Sequence, residues 1–214
     1  MSEEQNKHTE TAPKPNLIAE MAGAQVERTV KYKDENNKDA TRKITVTNPD
    51  IGPSMEIMDL ANVGNDEANY GQLFGRIMSD VIAAPVMDYK TLNDDLPDKY
   101  KSKTVTKKNK RGDTVQLQLV FPGFQTAIDI VMDANRPSGA SNIYGTLTTL
   151  DKEVFRKGTD KLVVRESYWN AGGEGYGLGG EAIKEGLEFL TDAISYKGNF
   201  QALLEGYRFL QNLL

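Results

Sequence analysis

Alternation of polar and apolar residues predicts two β-hairpins in this chain. Residues 26–32 and 41–47 alternate on either side of a polar turn at 33–39, and residues 104–121 alternate around a glycine-containing turn at 109–113. Because successive side chains of a strand point to opposite faces of a sheet, each hairpin is expected to bury one face and expose the other. Apolar residues at helical spacing follow each hairpin.

The segment after the first hairpin recurs after the second. Residues 49–62 read PDIGPSMEIMDLAN and residues 122–135 read PGFQTAIDIVMDAN, with four identical positions. Five further pairs are similar in character: Ile51/Phe124, Ser54/Ala127, Met55/Ile128, Glu56/Asp129 and Met58/Val131. A Tyr-Gly-x-Leu sequence follows each segment, at 70–73 and 144–147. This shared order predicts two copies of one small module, which favours a scaffold or binding role over catalysis.

Three further stretches carry apolar residues at helical spacing. The clearest stripe consists of Leu73, Phe74, Ile77, Met78, Val81 and Ile82. Similar stripes in residues 181–195 and 200–214 predict a helical hairpin. The glycine-rich stretch 172–180 before it is expected to be a flexible hinge, so that truncation after Gly180 would leave the remainder folded.

These patterns predict an α+β fold of two β-hairpin-plus-helix modules with a C-terminal helical hairpin, and an internal duplication is one explanation of the two modules. The polar first residues have almost nothing to bury and are expected to be disordered. The predicted boundaries are a tail at 1–25, a first module at 26–95, a second module at 96–170, and a glycine hinge with a helical arm at 171–214.

Charge and composition narrow the functions open to the chain. Its 214 residues carry a net charge of −5, which argues against a general binder of nucleic acid or anionic membranes. No apolar run approaches the ~20 residues of a membrane span, and the first residues lack the apolar core of a secretory signal. There is no cysteine, and the only histidine, His8, lies in the predicted tail. His- and Cys-dependent catalysis and ordinary zinc sites are therefore not expected, and a cytoplasmic setting fits.

Three motifs have a chemical interpretation that competes with a simpler one. The sequence GYGLGG at 175–180 fits a dinucleotide-binding pattern, but that interpretation needs a following parallel strand, which the sequence does not predict. The acidic residues Asp94, Asp95 and Asp98 lack paired ligands and are expected to be solvated. The basic run 107–111 lacks interleaved aromatic residues and is expected to be a hairpin tip. No metal, cofactor or catalytic residue is expected.

Two stretches resemble a known family. The sequence LVFPGF at 119–124 leads into AIDIV at 127–131, and residues 70–92 read YGQLFGRIMSDVIAAPVMDYKTL. These resemble the strand, FPG turn and helix, and the later Val-Ile-x-x-Pro segment, of tail assembly chaperones from long-tailed (siphovirus-type) bacteriophages. The FPG turn is present only in the second copy and the Val-Ile-x-x-Pro only in the first. Either the chain is one longer family domain with an insertion, or the two copies of a module have diverged differently.

The resemblance implies a protein that is not an enzyme. Such chaperones bind the tape-measure protein in the host cytoplasm during tail assembly, help to recruit tail-tube subunits, and are typically absent from the finished particle. Apolar helices able to hold a partner helix are compatible with that role. The predicted partner-binding residues are Leu203, Tyr207, Leu210 and Leu214, followed by Phe74, Ile77 and Val81 if that face is not core.

Two alternative functions remain open at this point. A structural virion protein, such as a tail-tube or connector subunit, would form a stable symmetric assembly by itself. An enzyme would require the glycine-rich loop at 175–180 to bind a nucleotide, which a ligand-induced rise in melting temperature would reveal.

Overall fold

The computed structural model describes residues 25–61, 69–135, 142–158 and 161–213, and all structural statements below concern these residues. Helices and antiparallel strands are both present, which confirms the α+β class. The predicted tail at 1–25 lies almost wholly outside the described residues.

Two antiparallel sheets form the framework. The first sheet has the order β1-β2-β3, and the second has the order β4-β5-β6-β7. The strands are β1 (Val26–Lys33), β2 (Asp39–Val46), β3 (Ile82–Ala84), β4 (Ser102–Lys108), β5 (Thr114–Val120), β6 (Phe155–Lys157) and β7 (Leu162–Val163). Both predicted hairpins are present, and each gains a short third strand beside its second strand.

Seven α-helices are described. They are α1 (Ile51–Ala61), α2 (Tyr70–Arg76), α3 (Tyr89–Asp94), α4 (Phe124–Ala134), α5 (Ile143–Glu153), α6 (Gly179–Ile194) and α7 (Asn199–Gln211). A π-helical turn at Ile77–Val81 continues α2 and leads directly into β3. Single 3-10 turns lie at Asp98–Tyr100, Glu166–Tyr168 and Tyr196–Gly198.

From the end of the second strand to the third strand, the two modules correspond at a spacing of 73 positions. The bounds of α4 follow those of α1 at this spacing. The backbone N–H of Thr47 donates to the carbonyl of Val81 at 2.9 Å, and that of Val120 donates to the carbonyl of Val154 at 2.9 Å. Both partners of the second bond lie 73 positions after their counterparts, so the third strands join their sheets in the same register.

The first residues of α2 and α5 align the two modules one position away from the alignment that the Tyr-Gly-x-Leu sequences predict. The side chain of Asn69 accepts from the backbone N–H of Gln72, and that of Asn142 accepts from Gly145. A side-chain cap of this kind satisfies an N–H that has no partner within the helix. Asn69 and Asn142 are 73 positions apart, whereas the two Tyr-Gly-x-Leu sequences are 74 apart. The similarity of those sequences is therefore not a structural correspondence.

Both hairpin loops are built in the same way. The side-chain oxygen of Asp34 accepts from the backbone N–H groups two and four residues later, and Asn109 does the same. The following turn residues Asn37 and Gly112 both have positive φ, at 58° and 87°. Asn and Gly tolerate this conformation best, which explains their presence there.

The predicted hinged arm is instead part of the core. Helices α6 and α7 each cover one module, and their contacts are equivalent: a Cβ at Gly186 would meet Leu150 and Phe155, and one at Gly206 would meet Ile77 and Ile82. Leu150 and Phe155 are the counterparts of Ile77 and Ile82 at the 73-residue spacing. Because apolar helix faces are buried on the sheets, α6 and α7 are not a separate arm.

The sequences of α6 and α7 also repeat. Residues 182–190 read AIKEGLEFL and residues 202–210 read ALLEGYRFL, with five identical positions. The shared glutamate meets a basic residue of the first strand in each module, Glu185 with Lys103 at 2.9 Å and Glu205 with Arg28 at 3.9 Å. Each structural unit therefore consists of a module and its own covering helix.

Candidate interaction surfaces

Most of the residues predicted to bind a partner are buried within the chain. The side chains of Leu203, Leu210, Phe74, Ile77 and Val81 are 0% exposed. The two predicted faces pack against each other. A Cβ at Gly206 of α7 would meet the Ile77 side chain, and the ring centroids of Phe74 and Phe200 of α7 are 6.1 Å apart. They form core because the apolar stripe of α2 and the apolar stripe of α7 are complementary halves of one interior.

The remaining two predicted partner-binding residues are Tyr207 and Leu214. Tyr207 is partly buried against the same core, so only part of its side chain is accessible. Leu214 lies outside the described residues.

The glycine-rich segment is fixed in place instead of forming a free hinge. The Arg111 guanidinium donates to the carbonyls of Ala171 at 2.7 Å and Gly173 at 2.9 Å, and the N–H of Lys110 donates to Tyr176 at 3.0 Å. A Cβ at Gly173 would lie 2.2 Å from a backbone oxygen. The basic run therefore has a structural role in holding this segment, and the absence of a side chain at Gly173 permits its close approach to the backbone of Tyr168.

A helix-docking site is already filled inside the chain. Helices α2 and α3 of the first module pack against α4 of the second. The N–H of Gly71 donates to Asp129 Oδ1 at 2.6 Å, and the N–H of Phe124 donates to Asn93 Oδ1 at 2.9 Å. Phe124 and Ile128 are 0% exposed there. Burial raises the pKa of Asp129, and the bond from Gly71 opposes that rise.

The corresponding face of α1 is open. Ile51 is 70% exposed and Met55 is 60% exposed, although they correspond to the fully buried Phe124 and Ile128. No atom of the described residues lies within 4 Å of a Cβ placed at Gly52, the counterpart of Gln125. We refer to Ile51, Gly52, Met55 and Glu56 as the acceptor surface.

A second apolar surface lies on the other module. At the start of α5, Ile143 is 64% exposed and Tyr144 is 65% exposed. In β7, a strand that contacts α5, Leu162 is 56% and Val163 is 48% exposed. The Tyr144 hydroxyl and Glu166 Oε2 are 3.2 Å apart. We refer to Ile143, Tyr144, Leu162 and Val163 as the donor surface, because α5 is the counterpart of α2, which docks on α4.

These two surfaces account for nearly all the large apolar side chains that the described residues expose. Six of the seven lie on one surface or the other, and the seventh is Val86. Scattered exposed apolar residues are ordinary, whereas their concentration at two places marks candidate interaction sites.

A buried carboxyl group lies behind the donor surface. Trp169 Nε1 donates to both oxygens of Asp151, at 2.9 and 3.0 Å. Asp151 corresponds to the buried Met78 of the first module and is only 6% exposed. Burial raises the pKa of Asp151 to about 6, against the lowering effect of the Trp169 bond. This contact holds the 3-10 turn that carries Tyr168 and Trp169 against α5.

Metal sites, membrane-spanning helices and a dinucleotide-binding unit are the other features to consider in the described ranges. No group of three or more acidic or histidine side chains there is placed to hold a metal ion. No helix among them has the length and apolar character needed to cross a membrane. The motif at 175–180 is preceded by the 3-10 turn Glu166–Tyr168 and followed by α6 and α7, so the strands of a Rossmann unit do not flank it.

Comparisons with protein families, with curated proteins and with solved structures found no match for this chain.

Proposed function

We propose that this chain is a tail assembly chaperone of a long-tailed bacteriophage. In this role it is not an enzyme: it binds the tape-measure protein in the host cytoplasm and supports assembly of tail-tube subunits around it. The proposal rests on the sequence resemblance at 70–92 and 119–131. The structural observation that supports it is the pair of exposed apolar surfaces, which hold six of the seven exposed large apolar side chains among the described residues.

The chemistry of these surfaces suits a helical partner with an apolar stripe. Ile51 and Met55 lie one turn apart on α1, the spacing at which two side chains share one helix face. Methionine has an unbranched, adaptable side chain, which suits a surface that must fit successive segments of a long partner. Binding then shields apolar residues of the partner from water and from one another.

A structural virion protein, such as a tail-tube or connector subunit, is the second candidate. The observation that favours it is the repetition of the module, with one exposed apolar surface on each copy. A subunit of a ring needs two different surfaces of this kind to contact its two neighbours.

Affinity purification from cells that produce the parent virus separates these candidates. The tagged full chain is expected to capture the tape-measure protein as its main partner, and purified tails are expected to lack the chain by mass spectrometry. Cells in which the tape-measure gene is deleted provide the control, where tail-tube capture should fall sharply.

The two readouts contradict the proposal in different ways. Stoichiometric presence of the chain in purified tails would establish the structural role. Capture of neither tape-measure nor tube proteins would remove both candidates.

A further inference from the structure

The chain contains one filled helix-docking site and the two halves of an unfilled one. Within a chain, α2 of the first module docks on α4 of the second. The counterpart of α2 is α5, which carries the donor surface, and the counterpart of α4 is α1, which carries the acceptor surface. We infer that the donor surface of one chain docks on the acceptor surface of a second copy, repeating between chains the contact that joins the modules within one chain.

The acceptor surface has the chemistry that this repetition needs. Ile51 and Met55 occupy the positions of Phe124 and Ile128, which are fully buried on α4, the helix that contacts both α2 and α6. Glu56 occupies the position of Asp129, whose carboxylate accepts the N–H of Gly71. In a single chain the Glu56 carboxylate pairs with Arg76 at 2.9 Å and its side chain remains 67% exposed.

The donor surface offers a matching amide group. Tyr144 occupies the position of Gly71, in the first turn of a helix, where a backbone N–H has no partner within the helix. In the docked pair, the N–H of Tyr144 donates to the Glu56 carboxylate of the second copy. An acidic side chain at a helix N-terminus also interacts favourably with the helix dipole.

The large and the small side chain of one facing pair are exchanged between the filled docking site and the unfilled one. Inside the chain, Gly71 faces Gln125 and Asp129, and a Cβ at Gly71 would lie only 2.6 Å from each of these side chains. Between chains, the large residue of the first pair is on the donor side as Tyr144, and the small one is on the acceptor side as Gly52, which has no described atom within 4 Å of an added Cβ. This exchange of large for small leaves room on the acceptor side for a second copy of this chain.

The inferred contact joins two different surfaces and is therefore heterologous. Each chain offers one donor and one acceptor surface, so the assembly grows as an open array or closes into a ring according to the rotation between neighbours. The inference goes beyond the proposed function, since a chaperone and a virion protein could both assemble in this way.

Complementary variants provide a direct test by sedimentation velocity. Wild-type chain is expected to form species larger than a dimer as its concentration rises over about a 100-fold range. Met55→Asp removes the acceptor surface and Tyr144→Asp removes the donor surface, so each alone should remain monomeric. An equimolar mixture should give a dimer and nothing larger, because one intact surface remains on each variant.

Val86→Asp is the matched control. Val86 is 82% exposed and lies outside both surfaces, so this variant should assemble like wild type. Far-ultraviolet circular dichroism and thermal unfolding of every variant check that folding is retained, since all the substituted side chains are exposed.

A pair of uncharged variants tests the register of docking. Gly52→Gln places the large residue of the internal site on the acceptor side and should weaken assembly by tenfold or more (about 1.4 kcal/mol). Tyr144→Gly added to Gly52→Gln recreates the internal pair and should restore most of that loss, as a double-mutant cycle would show.

Four results would overturn the inference. These are a wild-type chain that stays monomeric over the whole range, assembly that survives either Asp variant, a mixture that fails to dimerise, and a Gly52→Gln variant that assembles normally. If wild type is monomeric while Met55→Asp loses capture of the tape-measure protein, the acceptor surface belongs to that partner instead.

Discussion

Gly206 lies where α7 packs tightly against the first module. A Cβ there would lie 2.8 Å from Cγ2 of Ile77, whose side chain is fully buried. Gly206→Ala is expected to lower the free energy of unfolding by about 1–2 kcal/mol, because overpacking outweighs the gain in helix propensity. Urea unfolding measures the change.

Gly180→Ala is the matched control for this substitution. It also places alanine in a covering helix, but nothing lies within 4 Å of the added Cβ. It should be neutral or slightly stabilising, by about 0.4–1 kcal/mol at most. Equal destabilisation of both variants would show that the Ile77 contact is not the cause.

The buried carboxyl of Asp151 is expected to make stability depend on pH. Burial raises its pKa from 3.8 to about 6, so the folded chain binds this proton more tightly than the unfolded chain does. The contribution of Asp151 to the free energy of unfolding is therefore fully present below about pH 4 and decreases as the pH rises from about 4 to about 6. Above about pH 6 it does not change further. Asp151→Asn should remove that part of the slope.

Thermal melts between pH 4 and pH 8 would measure this effect. The control is Asp98→Asn, because Asp98 has a side chain that is 97% exposed. An unchanged pH slope in Asp151→Asn would show that burial of this carboxyl is unimportant for stability.

Single residues such as these were the least predictable part of the molecule. No spacing in the sequence joins Asp151 to Trp169, because the contact depends on how a 3-10 turn folds back onto α5. Likewise Gly186 and Gly206 look like weak points of helices until the side chains opposite them are known.

Among the elements, the covering helices carry the largest consequence for stability. Residues of α6 and α7 such as Leu190, Ile194, Leu203 and Leu210 are 0% exposed, and they close the interiors of both modules. Truncation after Gly180 is therefore expected to abolish cooperative unfolding, contrary to the expectation from sequence that the remainder would stay folded. Thermal unfolding followed by circular dichroism would show this loss.

A single substitution in α7 tests the same covering role with a smaller loss of stability. Leu203→Ala should cost about 2–5 kcal/mol, because it leaves a cavity in a closed core. Tyr207→Ala, on the same helix and only partly buried, should cost less. A truncated chain that unfolds cooperatively like wild type would refute the covering role.

The long elements were predicted from the sequence, whereas the three-residue strands were not. The hairpins, α1, α4, α6 and α7 follow clear periodic patterns and are confirmed. The three-residue strands β3 and β6 are too short for alternation to show, and Ile82 seemed to continue the helical stripe of α2. Only pairing with β2 and β5 defines these strands.

For the whole molecule, the sequence revealed the duplication but not the exposed surfaces it creates. The pairs Ile51/Phe124 and Met55/Ile128 are apolar in both copies, so composition cannot distinguish the covered member from the open one. Helix α4, which carries Phe124 and Ile128, contacts α2 of the other module and the covering helix α6. The candidate surfaces therefore become visible only when both modules are compared in their packed arrangement.

The order in which the covering helices follow the modules has a consequence for synthesis. Helix α7 closes the first module, yet the ribosome makes it after the whole of the second; Arg42 and its hydrogen-bond partner Asn199 are 157 positions apart. While the chain grows, the first module therefore lacks the covering helix α7, and interior residues such as Ile44 and Ile77 stay exposed to water. Such long-range closure slows folding and exposes nascent chains to aggregation. We expect the second module to close once α6 has left the ribosome, and the first module to reach its final stability only after α7 has left it.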